Sequence, residues 1–130
     1  MNEDRPRNWD WVSATHGCSA LVMLSELKAL ARTNVKTRNE QLGEDRFLLM
    51  ELDSVTFSVA RAGEVTAQVW FKVTNDFTSV VISGFNGRDE ITYGVGLDDE
   101  GRCRFKRAGE RLDPWRVLKT HLEALLFSVR

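Results

Sequence analysis

The sequence predicts an α+β domain: an N-terminal helix, a six-stranded antiparallel β-meander and a C-terminal helix, with both helices packed on one face of the sheet. Three observations predict this class. Apolar and polar residues alternate in short runs from 47 to 105, as in strands with one buried face. Turn-forming residues separate these runs. Apolar residues recur at helical spacing on both sides of this stretch.

The turns determine the predicted strand pairing. Asn86-Gly87 is the strongest hairpin signal, because a type I′ turn needs positive φ at both central positions, and it predicts Val80 opposite Tyr93. Gly101 fits the left-handed position of a three-residue loop. A two-residue turn at Asp53-Ser54 is predicted to direct three residues of the first strand into the core, namely Leu48, Met50 and Leu52.

Two further turns connect the middle strands. A three-residue loop at 62–64 and a two-residue turn at 75–76 predict Val69 opposite both Phe57 and Ile82. The same turns predict that Trp70 lies directly opposite Val81, on the sheet face that the helices leave open.

This open face carries the main functional prediction. Many of its residues are serine, threonine or glycine, but Trp70, Val81, Phe77 and Phe85 are large and apolar, and Gly94 leaves space two strands from Trp70. Exposed apolar patches mark contact sites. The sequence therefore predicts a non-catalytic binding module that docks a protein partner, or a second copy of itself, on this face.

The helix boundaries follow from capping residues. Ser19 is a predicted N-cap for a helix over 20–40, and the segment 41–45, which includes Gly43, is predicted to end it. Asp113 and Pro114 predict the start of the second helix, with Trp115 opening its buried stripe. Residues 1–12 are predicted to be a flexible or docking segment, and 13–17 a loop. Trp9 and Trp11 are expected to be buried, against the first helix or the open face.

Composition limits the classes of function. A chain of 130 residues, 42% hydrophobic and 28% charged, is one globular domain. A net charge of −1 gives no overall attraction to nucleic acid or membrane, and no apolar run approaches the ~20 residues of a membrane helix. Two cysteines are too few for a disulfide framework, and no signal peptide is visible. We expect a cytoplasmic protein.

Candidate chemistry is sparse. The soft metal ligands are His16, Cys18, Cys103 and His121, and their spacing does not fit a zinc site. Cys18 precedes a helix, where a thiolate is favoured, but no orienting group follows at a recognisable spacing. We therefore expect no metal, no cofactor and no catalytic thiol.

Two alternatives remain open. A small-ligand pocket between sheet and helices would use Tyr93 and His121 as its polar groups. The predicted order of elements loosely resembles that of helix-grip ligand-binding domains, whose curved antiparallel sheet wraps a C-terminal helix. Nucleic acid would instead contact the basic last strand, through Arg102, Arg104 and Lys106, although stacking aromatics are lacking among these cations.

Overall fold

The computed structural model describes residues 8–128. Over this range the α-helices are α1 (Trp11–His16), α2 (Ala20–Leu42) and α3 (Pro114–Phe127), and a single 3-10 turn covers Phe85–Gly87. The strands are β1 (Phe47–Asp53), β2 (Thr56–Arg61), β3 (Gln68–Val73), β4 (Ser79–Gly84), β5 (Ile91–Leu97), β6 (Cys103–Arg107) and β7 (Glu110–Leu112).

The predicted fold class is confirmed. All strands belong to one antiparallel sheet in the order β1-β2-β3-β4-β5-β6-β7, and α2 and α3 pack together with it in one hydrophobic core. Within residues 8–128 the sheet has seven strands instead of six. Ala108 and Gly109 adopt φ of 52° and 81°, and this tight turn sends the chain back along β6 as β7.

Helix α2 begins and ends at its predicted capping residues. The Ser19 hydroxyl accepts the Val22 N–H at 3.1 Å. At the other end Gly43 takes φ 71°, and its N–H bonds the carbonyls of Asn39 and Glu40. Only glycine adopts this left-handed conformation without steric cost. The buried stripe follows the predicted spacing, and α2 extends two residues further than predicted.

The segment before α2 differs from the prediction. Residues 13–17 were expected to be a loop, but α1 covers most of them, because the Asp10 carboxylate caps this helix at the Ser13 N–H and hydroxyl. Trp11 is 62% exposed instead of buried, whereas Trp9 is half-buried. Residues 1–7 of the predicted flexible or docking segment lie outside the described residues.

Helix α3 starts at Pro114, as predicted. Its buried stripe comprises Val117, Leu118, Leu122, Leu125 and Leu126. Trp115 was expected in this stripe but is 58% exposed, because it sits in the first turn and lines an open groove between α2 and α3. Val129, also placed in the stripe by the sequence, lies outside the described range.

Two arginines bind the last turn of α3. Arg61 Nη2 donates to the Leu125 carbonyl at 2.8 Å, and Arg38 Nε donates to the Leu126 carbonyl at 2.9 Å. The last carbonyls of a helix have no partner within it and carry the negative end of its dipole. One arginine comes from β2 and the other from α2, so these bonds hold α3 against both the sheet and its neighbouring helix.

The later strands pair as predicted. Val80 lies opposite Tyr93 and Ile82 opposite Ile91, while Leu97 lies opposite Cys103. Asn86 and Gly87 take φ of 58° and 75°, the positive values of a type I′ turn. These turns fixed the register because their backbone requirements are local.

The middle strands keep their predicted faces but shift by two residues. Phe57 lies opposite Phe71 instead of Val69, and Phe71 lies opposite Ile82. Both connecting loops are longer than predicted: the Arg61 N–H reaches the Ala67 carbonyl, and the Thr74 N–H reaches the Ser79 carbonyl. An even shift preserves the side-chain alternation, so the core residues remain in the core.

The buried and exposed faces of strand β1 are exchanged relative to the prediction. Asp53 pairs with Thr56 but Glu51 pairs with Phe57, so Leu52 is the extra residue of a β-bulge, and the shift by one residue exchanges the two faces. Leu48 and Met50 accordingly lie on the open face, 45% and 47% exposed instead of buried. Leu52, the bulge residue, is 52% exposed instead of buried and lines a groove with Leu21 and Lys28 of α2.

The bulge also moves charge to the helix side of β1. The Glu51 carboxylate lies 2.6 Å from Lys28 Nζ and 3.1 Å from Arg32 Nη2, both on α2. These hydrogen bonds, with Lys28 as the largest contribution, lower the pKa of Glu51. The pairing of Glu51 with two α2 cations is consistent with the observed orientation of β1.

Cys18 and Cys103 form a disulfide, which the sequence analysis did not predict. The bond joins the residue before the cap of α2 to the first residue of β6. It spans 85 residues of sequence, and it is the main covalent constraint on the segment that contains α1, which buries none of its own residues.

Candidate contact surface on the open sheet face

The open face is the sheet surface opposite α2 and α3. One row across it runs through Met50, Ser58, Trp70 and Ser83, which pair in that order from β1 to β4. Trp70 therefore faces Ser83, and the prediction that it lies directly opposite Val81 is wrong. Val81 pairs with Lys72, two positions along β3 from Trp70.

Three of the five predicted contact residues come together. Trp70, Val81 and Phe85 line one groove of about 340 Å³, and all three are half-buried. The Trp70 indole N–H donates to Gln68 Oε1 at 2.8 Å. Because its only polar group is bonded within the chain, the indole presents an apolar surface to the groove.

The other two predicted contact residues lie elsewhere. Phe77 was placed on a strand, but it occupies the β3–β4 turn with φ 61°. Gly94 lies on β5 opposite Lys106, and the space beside the neighbouring Gly96 holds the Lys106 side chain, whose Nζ donates to the Leu97 carbonyl at 3.0 Å. The space that was predicted along Gly94 is thus partly filled by the Lys106 side chain.

Leu48 and Met50 also lie on the open face, which the sequence pattern did not predict. Every residue from 47 to 50 is apolar, so alternation alone does not reveal which side of β1 is buried. Between Met50 and Trp70 lies Ser58, which is only 1% exposed. Its small side chain lies beneath its larger neighbours, and its hydroxyl has no hydrogen-bond partner among the described residues.

The candidate ligand residues bond to each other. The Tyr93 hydroxyl lies 2.8 Å from His121 Nε2, and the Tyr93 ring meets Phe105 edge-on in the core. Burial raises the pKa of Tyr93, although Arg107 opposes this shift. Neither residue lines any of the five grooves compared within residues 8–128. The geometry is that of a satisfied polar pair within the core.

This pair predicts a pH-dependent stability. Desolvation, followed by the positive charge of Arg107, lowers the pKa of His121 below its ordinary 6.5. The unfolded chain therefore binds a proton at pH values where the folded chain does not. Stability is full above the unfolded value and falls as the pH decreases through the folded one. We expect urea unfolding to show a lower free energy at about pH 5 than at about pH 7.5.

The His121→Gln variant should reduce this pH dependence. His16→Gln, in the exposed α1, is the matched control for loss of a histidine. A His121→Gln chain that loses as much stability between the two pH values as the wild type would contradict the assignment.

The cations of the predicted basic edge are all bonded within the chain. Arg102 pairs with Glu100 at 2.6 Å, and Arg104 lies 3.1 Å from both Asp98 and Asp113. Burial alone would raise the pKa of Asp98, but backbone N–H donors and Arg104 lower it overall. Strand β6 is also covered by β7, so it is not the edge strand that the sequence predicted. These features weaken the nucleic-acid hypothesis.

Other chemistry finds little support in residues 8–128. The disulfide leaves Cys18 without the free thiol that nucleophilic catalysis requires. No group of three or more His, Cys, Asp or Glu side chains in this range is placed to hold a metal ion. No helix in the same range has both the length and the apolar character needed to span a membrane.

Comparisons with protein families, with curated proteins and with solved structures gave no match for this chain. The candidate surface therefore rests on its geometry and chemistry alone.

Proposed function

We propose that this chain is a non-catalytic protein-interaction module that associates with a second copy of itself through the open face. The observation that carries the proposal is the apolar surface formed by Trp70, Val81 and Phe85 together with Leu48 and Met50. Small residues lie among them on the same face, including Ser58 and Ala60 on β2, while Gln68, Lys72 and Glu90 form a polar border of the groove.

The arrangement supports docking because large and small residues alternate across the strands. Met50 and Trp70 flank the small residue Ser58. The two large side chains therefore leave a depression between them, into which a large side chain of a second copy can pack. Aromatic residues that become fully buried at the centre of an interface supply most of its binding energy. Trp70 is the aromatic residue of this row, and it borders the groove.

Trp70→Ala is expected to weaken self-association by at least about 30-fold, which corresponds to a hot-spot loss of roughly 2 kcal/mol. Sedimentation velocity over a range of concentrations measures the dissociation constant directly. Trp115→Ala is the matched control, because Trp115 is an exposed tryptophan on the helix layer.

Val81→Asp provides a second variant, since it places a charge in the same groove while retaining Trp70. Circular dichroism establishes that each variant is folded before its association is measured. An unchanged dissociation constant for both open-face variants would overturn the proposal, as would an equal loss for Trp115→Ala.

The predicted cytoplasmic location is not supported by the disulfide, because cytosolic reductants keep most thiols reduced. We infer that the protein works in an oxidising compartment. Alkylation of thiols in intact cells tests this inference: modification of Cys18 and Cys103 would place the chain in a reducing compartment.

The small-ligand alternative has weaker support than the contact surface. Tyr93 and His121 satisfy each other's polar groups, and neither borders one of the grooves described above.

A further inference from the structure

The two edges of the sheet differ in length and chemistry. Strand β7 is three residues long and presents Glu110 and Arg111, which is typical of an edge protected against pairing. Strand β1 is seven residues long, contains neither lysine nor proline, and exposes Leu48 and Met50. Residues 47–50 form an apolar edge ahead of the bulge at Leu52, and an unpaired apolar edge is a template for adding another strand.

Only part of the β1 edge is available. The Phe47 N–H donates to Asn39 Oδ1 at 2.9 Å, and the Phe47 carbonyl accepts from Asn39 Nδ2 at 3.0 Å. This amide occupies the first outward position of the strand. Because alternate residues direct their N–H and C=O groups to the same side, Leu49 and Glu51 present the next outward groups. The available window thus consists of these two residues.

We propose that β1 pairs with β1 of a second copy, antiparallel and about a two-fold axis at Met50. In this register Leu49 of each copy lies opposite Glu51 of the other, and each such pair exchanges both of its N–H···O bonds. The two sheets become continuous. The contact uses the backbone edge, so it does not depend on the proposed association through the open face.

The neighbouring registers are disfavoured by specific residues. A shift by two residues in one direction would place Leu49 opposite Leu49 of the second copy. It would also need the backbone N–H and carbonyl of Phe47, which are already bonded to Asn39. A shift in the other direction would place Glu51 opposite Glu51 of the second copy, and like charges directly opposite each other destabilise a sheet. The register centred on Met50 avoids both costs.

Side chains on the open face fit this pairing. Met50 meets Met50 of the second copy at the axis, and Leu48 of each copy lies on the same face, beside the bulge of the other copy. Each of these residues is about half exposed in the single chain, so pairing removes apolar surface from water. The resulting strip lies beside Ser58 and Trp70 in each copy.

On the helix side of the contact, positive charges of the two copies repel each other and oppose the pairing. Arg32 and Lys36 line an open groove of about 690 Å³ beside β1, and pairing brings the same residues of the second copy closer. Glu51 offsets part of this repulsion through its bonds to Lys28 and Arg32. Salt at physiological strength screens exposed charges beyond about 8 Å. The groove also leaves space between α2 and the added strand.

Cysteine cross-linking tests the register. In a Met50→Cys chain the two new thiols face each other in a non-hydrogen-bonded pair, where Cα atoms lie about 4.5 Å apart, within reach of a disulfide. In the control, Leu48→Cys, the new thiols are four residues out of register, about 13 Å apart, which is too far. We expect mild oxidation to link two copies through position 50 but not through position 48, as identified by peptide mass mapping.

Absence of the position-50 link, or equal linking at both positions, overturns the proposal. So does a link from position 50 to a different protein alone, since the strand would then serve another partner. Leu49→Pro, added to Met50→Cys, removes an outward N–H that an edge strand can lose without unfolding, and it should abolish the link. Because Trp70→Ala does not touch the β1 edge, the cross-link and the open-face association can fail separately.

Discussion

The double substitution Cys18→Ala/Cys103→Ala should lower the free energy of unfolding by about 4 to 5 kcal/mol. The bond closes a loop of 85 residues, and closing a long loop restricts the unfolded chain more than closing a short one. The bond also attaches the segment that contains α1, where Trp11 and Val12 remain exposed. We expect amide exchange in α1 to rise more than in α2.

Urea unfolding of the wild-type chain, oxidised and reduced, gives the same comparison without a substitution. It also covers the case in which the double variant does not fold. A difference below about 1 kcal/mol between the two forms would show that the disulfide adds little to this fold.

Phe71→Ala is expected to destabilise the chain by about 3 to 5 kcal/mol, the usual cost of truncating a buried phenylalanine. Phe71 on β3 stacks on Phe57 of β2 with ring centroids 4.5 Å apart and planes inclined by 6°. Neither side chain is exposed. The variant loses the apolar burial of one ring and leaves a cavity beneath the other.

Phe77→Ala is the matched control for this change. It removes the same side chain from an exposed turn, where surface substitutions usually change stability by less than about 0.5 kcal/mol. Thermal or urea unfolding of both variants provides the comparison. A Phe71→Ala chain no less stable than Phe77→Ala would show that Phe71 does not lie in the core.

The features predicted correctly are those that depend on a few adjacent residues. Ser19 and Gly43 bound α2, and Asn86-Gly87 aligns β4 with β5, because capping and left-handed turns are properties of local backbone. The helix stripes and the alternation in β2 to β6 then determined the layers, so the fold class followed from the sequence.

The remaining features depend on distant residues. The buried side of β1 cannot be assigned from alternation, since residues 47 to 50 are all apolar. The orientation is seen only once α2 places Lys28 beside Glu51. The disulfide similarly joins residues 85 positions apart, a distance at which sequence spacing carries no information on pairing.

Only part of the candidate surface was predicted, because the rest of it also depends on distant residues. Trp70 and Val81 were found because each is a large residue among small polar ones on a strand of known alternation. Phe85, predicted to lie on the same strand as Val81, directly follows the end of β4 and still borders the groove. Phe77 was predicted to lie on a strand because a two-residue turn was assumed at 75–76. The β3–β4 loop is longer and includes Phe77. Met50 was not predicted to lie on the open face, because the bulge at Leu52 exchanges the two faces of β1.

The short, charged strand β7 has a consequence for the size of any assembly built through the sheet. A two-fold contact uses the same edge of both molecules, so a pair joined at β1 has no β1 edge left to offer. Its outer margins are then the two copies of β7, which carry Glu110 and Arg111. Edge-to-edge growth of such a pair is closed: it stops at two chains along the sheet instead of extending into a fibre.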